Sequence, residues 1–180
     1  GIATQAMAVT VTNTNEAPTI TSAATANAAE NQTAVTTVTS SDVDGAAPVY
    51  TIVGGADAAL FAIDAATGVL TFNAAPNFES PSDAGGDNVY DVTVQVADGN
   101  GGTDTQAIAV TVSNVNEAPL ITSGAAVSVA ENQTAVTTTT SSDVDGGAPS
   151  YSIVGGADAA LFTIDAATGV LAFNAAPDFE

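Results

Sequence analysis

The stretch Tyr90-Asp91-Val92-Thr93-Val94-Gln95-Val96 alternates apolar and polar side chains residue by residue. A period of two puts the two sets of side chains on opposite faces of a β-strand, so this stretch predicts a strand buried on one face. Ile108, Val110 and Val112 repeat the pattern further along the chain. Half-buried strands of this kind need a second apolar layer to cover them, which predicts a β-sandwich.

The rest of the chain consists of short apolar runs separated by clusters of glycine, asparagine, aspartate and proline. Such spacing is typical of β-sandwiches, and with the two alternating stretches it predicts seven strands in one domain. The other five strands are predicted at residues 18–21, 33–41, 50–53, 60–63 and 69–72. The alanine-rich segment 56–62 predicts only a short helical turn, and residues 77–88 predict an exposed loop.

The sequence repeats at a spacing of 101 residues. This shift aligns residues 17–79 with 118–180, where 50 of 63 positions are identical, and it also aligns residues 4–18 with 105–119. Identity at that level predicts tandem copies of one all-β domain. We therefore predict that residues 1–16 are the last strand of a preceding repeat, residues 17–117 a complete repeat, and residues 118–180 the first two-thirds of the next.

All side-chain charge is acidic, with 20 Asp and Glu and no Lys, Arg or His. Clustered carboxylates therefore have no side-chain cation to pair with and need a cation from solution, or water. A net charge of −20 offers no basic patch for nucleic acid or anionic lipid, and no apolar run reaches the ~18 residues of a membrane span. Without Cys and His, the available metal ligands are oxygens, which suit Ca²⁺ and Mg²⁺.

Five acidic or amide-rich motifs occur in a definite order. They are Ala29-Glu30-Asn31, Ser41-Asp42-Val43-Asp44-Gly45, Asp64-Ala65-Ala66-Thr67-Gly68, Asn77-Phe78-Glu79 and Asn114-Val115-Asn116-Glu117-Ala118-Pro119. In this order they resemble the cadherin repeat, specifically the cadherin-like tandem repeats of bacterial surface and secreted proteins. The resemblance covers essentially the whole chain. It implies tandem seven-stranded Greek-key β-sandwiches of the cadherin/Ig-like kind, with Ca²⁺ bound at the junction between successive repeats.

Position by position, the resemblance implies two calcium sites. The site near residue 17 would use Asn13, Asn15, Glu16, Asp42, Asp44 and Asp98. The site near residue 118 would use Glu30, Glu79, Asn114, Asn116, Glu117, Asp143 and Asp145. Asn77 and Asn114 stand where the family commonly has aspartate, and each such exchange removes a charge and is expected to weaken binding.

Simpler interpretations of the same residues stay open. The Asp42-Val43-Asp44-Gly45 motif also fits a solvated turn, and the glutamates fit the acidic surface of a protein adapted to salt. Asp64 is expected to form a tight turn rather than to bind metal. The remaining acids are assigned to the exposed surface: Asp57, Asp83, Asp87, Asp91 and Asp104.

The function implied is a calcium-stiffened structural stalk or filament segment of an extracellular adhesin or surface protein. The alternatives are a filament subunit that donates strand 2–13 to a neighbouring chain and a ligand-binding adhesive module. Paired carboxylates can hydrolyse glycosides, but the chain has no Trp and only three Tyr for sugar stacking, so no enzyme activity is expected. Expected partners are neighbouring repeats, identical chains and a cell-surface or matrix ligand, in an extracellular, cell-surface or secreted location. Nucleic acid and direct membrane insertion are not expected.

Overall fold

The computed structural model describes all residues of the chain, Gly1–Glu180. Two compact units are present, Gly1–Val115 and Asn116–Glu180. The regular structure is almost entirely β, and the two helical segments are three-residue 3-10 turns at Ala58–Leu60 and Ala159–Leu161. Neither has the length and hydrophobicity that a membrane-spanning helix requires.

The first unit contains nine strands. In chain order they are β1 (Thr19–Ile20), β2 (Thr25–Ala29), β3 (Ala34–Thr37), β4 (Ser40–Ser41), β5 (Val49–Gly54), β6 (Phe61–Ile63), β7 (Val69–Phe72), β8 (Val89–Ala97) and β9 (Thr103–Ser113). One sheet has the order β2-β9-β8-β5, a second has the order β3-β7-β6, and β1 pairs with β4. The predicted all-β sandwich is therefore confirmed.

The core of the first unit is filled by the side chains that alternate along β8 and β9. On β8 these side chains are at most 1% exposed: Tyr90, Val92, Val94 and Val96. Tyr90 meets Phe72 of the three-stranded sheet edge-on, with ring centroids 5.1 Å apart, and Phe72 stacks on Phe61 at 4.6 Å. Small β-branched side chains from one sheet and aromatic rings from the other thus form a thin core between the layers.

Two strands differ from the sequence prediction. The segment of β2 reads Thr-Ala-Asn-Ala-Ala, which has little intrinsic preference for a strand, and no strand was predicted there. It becomes a strand because it pairs in parallel with β9, from Thr25 opposite Ala109 to Ala29 opposite Ser113. The predicted strand 33–41 is two strands, because β3 pairs with β7 whereas β4 pairs with β1.

Residues 2–13 form no strand in the structure. Their apolar side chains face solvent, with Ile2 95% and Val11 91% exposed. The sequence 103–114, identical at 8 of these 12 positions, forms a strand at β9, where β2 and β8 supply hydrogen-bonding partners on both sides. A strand needs such a neighbour for its backbone groups, and residues 2–13 have none. That these residues complete a preceding repeat stays a prediction.

The second unit reproduces part of the first. Its strands are β10 (Leu120–Ile121), β11 (Ala135–Thr138), β12 (Ser141–Ser142), β13 (Phe162–Ile164) and β14 (Val170–Phe173). The order β11-β14-β13 repeats β3-β7-β6, and the pair β10-β12 repeats β1-β4. Residues equivalent to β2 and β5 form no strand, because those strands pair with β9 and β8, and residues 116–180 contain no copy of either.

Two aspartates that were assigned to the surface are buried, which corrects the sequence prediction. Asp57 is 5% and Asp83 is 7% exposed. The Asp57 carboxylate accepts hydrogen bonds from the backbone N–H groups of Ala84, at 2.7 Å, and Asp91, at 2.8 Å. Asp83 accepts from the N–H of Asn88 at 3.1 Å. Asp57 thereby fastens the loop before β8 to the sandwich, and Asp83 holds that loop in shape through its own N–H groups.

Replacing Asp57 with asparagine should lower the free energy of unfolding of the first unit. The amide retains one acceptor oxygen, so one of the two backbone N–H groups loses its partner, at a cost of about 2 kcal/mol. Urea unfolding would measure this loss. The matched control is Asp158→Asn, the same exchange 101 residues later at an exposed position, where no comparable loss is expected. Equal stability of the two variants would contradict the fastening role of Asp57.

Candidate metal sites

Six predicted ligands converge at one end of the first unit. We call this group the amino-terminal site, and its members are Asn13, Asn15, Glu16, Asp42, Asp44 and Asp98. Residues 13–16 precede β1, residues 42 and 44 follow β4, and residue 98 follows β8. The ends of β4 and β8 and the segment before β1 therefore bring together side chains that lie up to 83 residues apart in sequence.

Asp44 is the centre of the amino-terminal site. Its Oδ1 accepts a hydrogen bond from the Asn13 side-chain amide at 2.5 Å, and its Oδ2 accepts one from the Glu16 backbone N–H at 2.7 Å. The Asp44 N–H in turn donates to Asp42 Oδ1 at 2.8 Å. Alternate residues of the Asp-x-Asp motif thereby present their carboxylates to the same space.

Asp98 closes the site from the turn between β8 and β9. Its Oδ1 accepts from the backbone N–H groups of Asn100 and Gly102, and its Oδ2 accepts from the Asn15 side-chain amide at 2.7 Å. A Cβ on Gly102 would lie 2.3 Å from Asp98 Oδ2 and 2.7 Å from the Cα of Ala17. Only glycine lets the turn approach residues 15–17 this closely.

The amino-terminal site contains acidic side chains and no side-chain cation. The pKa values of three of these acids are therefore shifted by neighbouring amides and by one another. The Asn13 amide lowers the pKa of Asp44, and the Asn15 amide lowers the pKa of Asp98. The Asp44 carboxylate beside Glu16 raises the pKa of that side chain. Asp42 Oδ2 is buried with no hydrogen-bond partner. A buried carboxylate oxygen in this state is uncommon and fits a cation ligand.

A second acidic group of the first unit contains Glu30 and Glu79. Glu30 is 2% exposed, and its two oxygens accept from the backbone N–H groups of Phe78 and Val115, each at 2.8 Å. Both carboxylate oxygens of Glu79 are buried without a hydrogen-bond partner, and one lies within 4.8 Å of a Glu30 oxygen. Asn114, also predicted as a ligand, is exposed just after β9. This pair thus combines two like charges with unused ligand oxygens.

The second unit repeats the linker contacts of the amino-terminal site. The Glu117 N–H donates to Asp145 Oδ2 at 2.6 Å, and the Asp145 N–H donates to Asp143 Oδ1 at 3.1 Å. Asn116 differs from its counterpart Asn15, because its side-chain amide donates to the carbonyl of Glu117 at 2.9 Å. That these residues share one site with Glu30, Glu79 and Asn114 stays a prediction.

Asp64 forms the turn that the sequence predicted. Its Oδ1 accepts hydrogen bonds from the N–H groups of Ala66 and Thr67 and from the Thr67 hydroxyl. These bonds lower the pKa of Asp64, with the hydroxyl contributing most. The carboxylate is thereby used to close the turn between β6 and β7.

Asp104 has a structural role that the sequence did not predict. Its Oδ2 accepts a hydrogen bond from the N–H of Ile20, 84 residues away, at 2.8 Å. No local motif marks this contact, because it depends on β9 passing beside β1. Asp87 and Asp91 are exposed, as predicted.

The sandwich defines an Ig-like β domain that carries clustered carboxylate and amide side chains where the chain enters and leaves it. Residues 15–111, more than half of the chain, match the bacterial Ig domain, and the chain belongs to this family. A comparison with curated proteins finds no match.

Solved structures of cadherin domains share the fold. A crystal structure of human protocadherin-24 EC1-2 superimposes with a TM-score of 0.61 at 22% identity, covering 91% of this chain and 80% of that one. Mouse cadherin-23 EC22-24 gives 0.56 at 19% identity, covering 91% of this chain and 56% of that one. Identities this low establish the fold alone. The cadherin-like resemblance predicted from the motifs is confirmed at that level.

Proposed function

We propose that the chain is a calcium-stiffened, non-enzymatic segment of a stalk or filament in an extracellular adhesin or surface protein. The observation that carries the proposal is the set of buried carboxylate oxygens with no hydrogen-bond partner, Asp42 Oδ2 and both oxygens of Glu79. The chain has no side-chain cation to neutralise them. A bound cation would supply both the missing charge and the missing contacts.

Calcium is the cation that best suits the oxygen atoms of these side chains. It takes 6 to 8 oxygen ligands from carboxylates, amides and backbone carbonyls in flexible geometry. In the amino-terminal site these would come from Asp42, Asp44, Asp98, Glu16 and the amide oxygens of Asn13 and Asn15. The 101-residue repeat extends the proposal to a site near residue 118, formed by Glu30, Glu79, Asn114, Asn116, Glu117, Asp143 and Asp145.

Stiffening follows from which segments would share the ion. Residues 13–16 enter the first unit, whereas Asp42, Asp44 and Asp98 belong to its folded body. An ion ligated by both would restrict the angle at which the entering segment leaves the sandwich. Each copy of the repeat would add one such restriction, and a string of domains would become a rod.

The paired carboxylates are not placed as glycoside hydrolysis requires. Glycoside hydrolysis needs two carboxylates flanking a bound sugar, but Glu30 is 2% exposed and both its oxygens hold backbone N–H groups. Proteins of this domain class typically act in adhesion or structure. We extend the proposal to an extracellular location, with neighbouring repeats, identical chains or a surface ligand as partners. Strand donation by residues 2–13 and an adhesive role stay predictions.

Removing one charge from the amino-terminal site should weaken calcium binding. Asp42→Asn retains the oxygen that accepts the Asp44 N–H and replaces the carboxylate oxygen that has no partner, so affinity should fall roughly tenfold because charged ligands set calcium affinity. Titration calorimetry would measure it. Asp91→Asn, the same charge change at an exposed position, is the control and should bind as the parent chain does. Equal affinities of both variants would refute the site.

A further inference from the structure

The entering segment of the first unit is held by hydrogen bonds that need no metal. The side-chain amides of Asn13 and Asn15 donate to Asp44 and Asp98, and the Glu16 N–H donates to Asp44. Both acceptors belong to turns of the folded sandwich. These three bonds therefore fasten residues 13–16 to the first unit in the metal-free chain.

An asparagine side chain has two faces with opposite chemistry. Its Nδ2 carries two donors and cannot ligate a cation, whereas its Oδ1 accepts hydrogen bonds and can ligate Ca²⁺. At Asn13 and Asn15 the Nδ2 atom is turned towards a carboxylate. Aspartate at either position would offer no donor and would place a further negative charge beside Asp44 or Asp98.

We propose that Asn13 and Asn15 form an ion-free latch, which holds the entering segment on the first unit without metal and must turn each amide over when a cation binds. The latched state rests on the hydrogen bonds alone, whereas the cation-bound state rests on the proposed function. The latch and the cation compete for the same carboxylates. Residues 13–16 would therefore be ordered with and without the cation. Calcium would bind more weakly than it would to a site without the latch, because it must first displace the amide hydrogen bonds.

The second linker provides a matched comparison. Asn114 and Asn116 occupy the positions 101 residues after Asn13 and Asn15. The Asn116 amide donates to the carbonyl of the adjacent Glu117 instead of to a carboxylate. Replacing Asn114 and Asn116 with aspartate therefore adds the same two charges without removing the latch from the first unit.

The test is residue-resolved amide hydrogen exchange by NMR on the whole chain, in chelator and in saturating Ca²⁺. The variant is Asn13→Asp with Asn15→Asp, and the control is Asn114→Asp with Asn116→Asp. In chelator, exchange of the Glu16 N–H should be at least about tenfold faster in the variant than in the parent or the control. Without the two amide hydrogen bonds, the Glu16 N–H is no longer held against Asp44 Oδ2. Exchange of the Val94 N–H within β8 should be unchanged in all three chains, which shows that each is folded.

Calcium should restore slow exchange at Glu16 in the variant and shift the side-chain amide signals of Asn13 and Asn15 in the parent. Equal exchange of the Glu16 N–H in parent and variant in chelator would overturn the latch. If the variant frees Glu16 but calcium alters neither chain, the latch is supported and the calcium function proposed above is the part that fails.

Discussion

Replacing Glu79 with glutamine should stabilise the first unit by about 2 to 3 kcal/mol in the presence of a chelator. Both oxygens of Glu79 are buried without a hydrogen-bond partner, and one lies within 4.8 Å of a Glu30 oxygen. Two like charges at this separation repel by about 3 kcal/mol at an effective dielectric constant of about 20. Glutamine keeps the shape of the side chain, removes the charge and can donate to Glu30.

In calcium the stability advantage of Glu79→Gln over the parent chain should shrink. On the proposed function, the ion would take the Glu79 carboxylate of the parent chain as a ligand and relieve the repulsion, whereas the variant would offer one charged ligand fewer. Its gain in stability between chelator and calcium should therefore be smaller than that of the parent. Urea unfolding under both conditions measures the two differences.

The matched control is Glu180→Gln, at the equivalent exposed position 101 residues later. It should change stability little under either condition. Destabilisation of Glu79→Gln in chelator would contradict the account, because it would mean that the Glu79 charge is already compensated within the protein.

The strands of the central sheet were predictable because their pattern is local. Alternation at Tyr90, Val92, Val94 and Val96 fixes both the strand and its buried face, and the structure buries these side chains. The alanine-rich β2 carries no such pattern and is a strand only through its parallel pairing with β9. A contact between segments more than 80 residues apart is not encoded in either segment alone.

The acidic site was predictable in composition but not in geometry. The resemblance to cadherin-like repeats selected Asp42, Asp44 and Asp98, and the structure brings them to one end of the first unit. The sequence analysis separated these residues from Asp57 and Asp83 but assigned those two to the surface, whereas the structure buries them for a different reason. Those two side chains accept hydrogen bonds from loop N–H groups, a role that depends on the loop's path and not on residue type.

The hydrogen-bonding direction of the linker asparagines was also hidden from the sequence. Asn13 and Asn15 were predicted as oxygen ligands, yet in the structure they present nitrogen to Asp44 and Asp98. An amide side chain can satisfy either need. In the latch proposed above, the face that is used depends on whether a cation occupies the space, and that depends on conditions rather than on sequence.

Calcium should raise the free energy of unfolding of the first unit by about 2.7 kcal/mol when its concentration is 100 times the Kd. The proposed ion would bind the folded arrangement of carboxylates and not the unfolded chain, in which these side chains are dispersed. Extracellular calcium modules commonly have Kd values of about 10⁻⁴ to 10⁻³ M, so a shift of this size needs about 10 to 100 mM calcium. Lower concentrations should give a smaller shift that grows with the logarithm of concentration.

The most direct test of the account is thermal unfolding of the chain in calcium and in excess chelator, with Na⁺ added to equalise ionic strength. The Tm of the parent chain should rise with calcium in a way that sodium does not reproduce, and the rise should be smaller for Asp42→Asn and Glu79→Gln. Coincident unfolding curves in calcium and chelator would contradict it. The Ig-like sandwich would remain, but its carboxylates would be a solvated acidic surface and not the ligands of a stiffening ion.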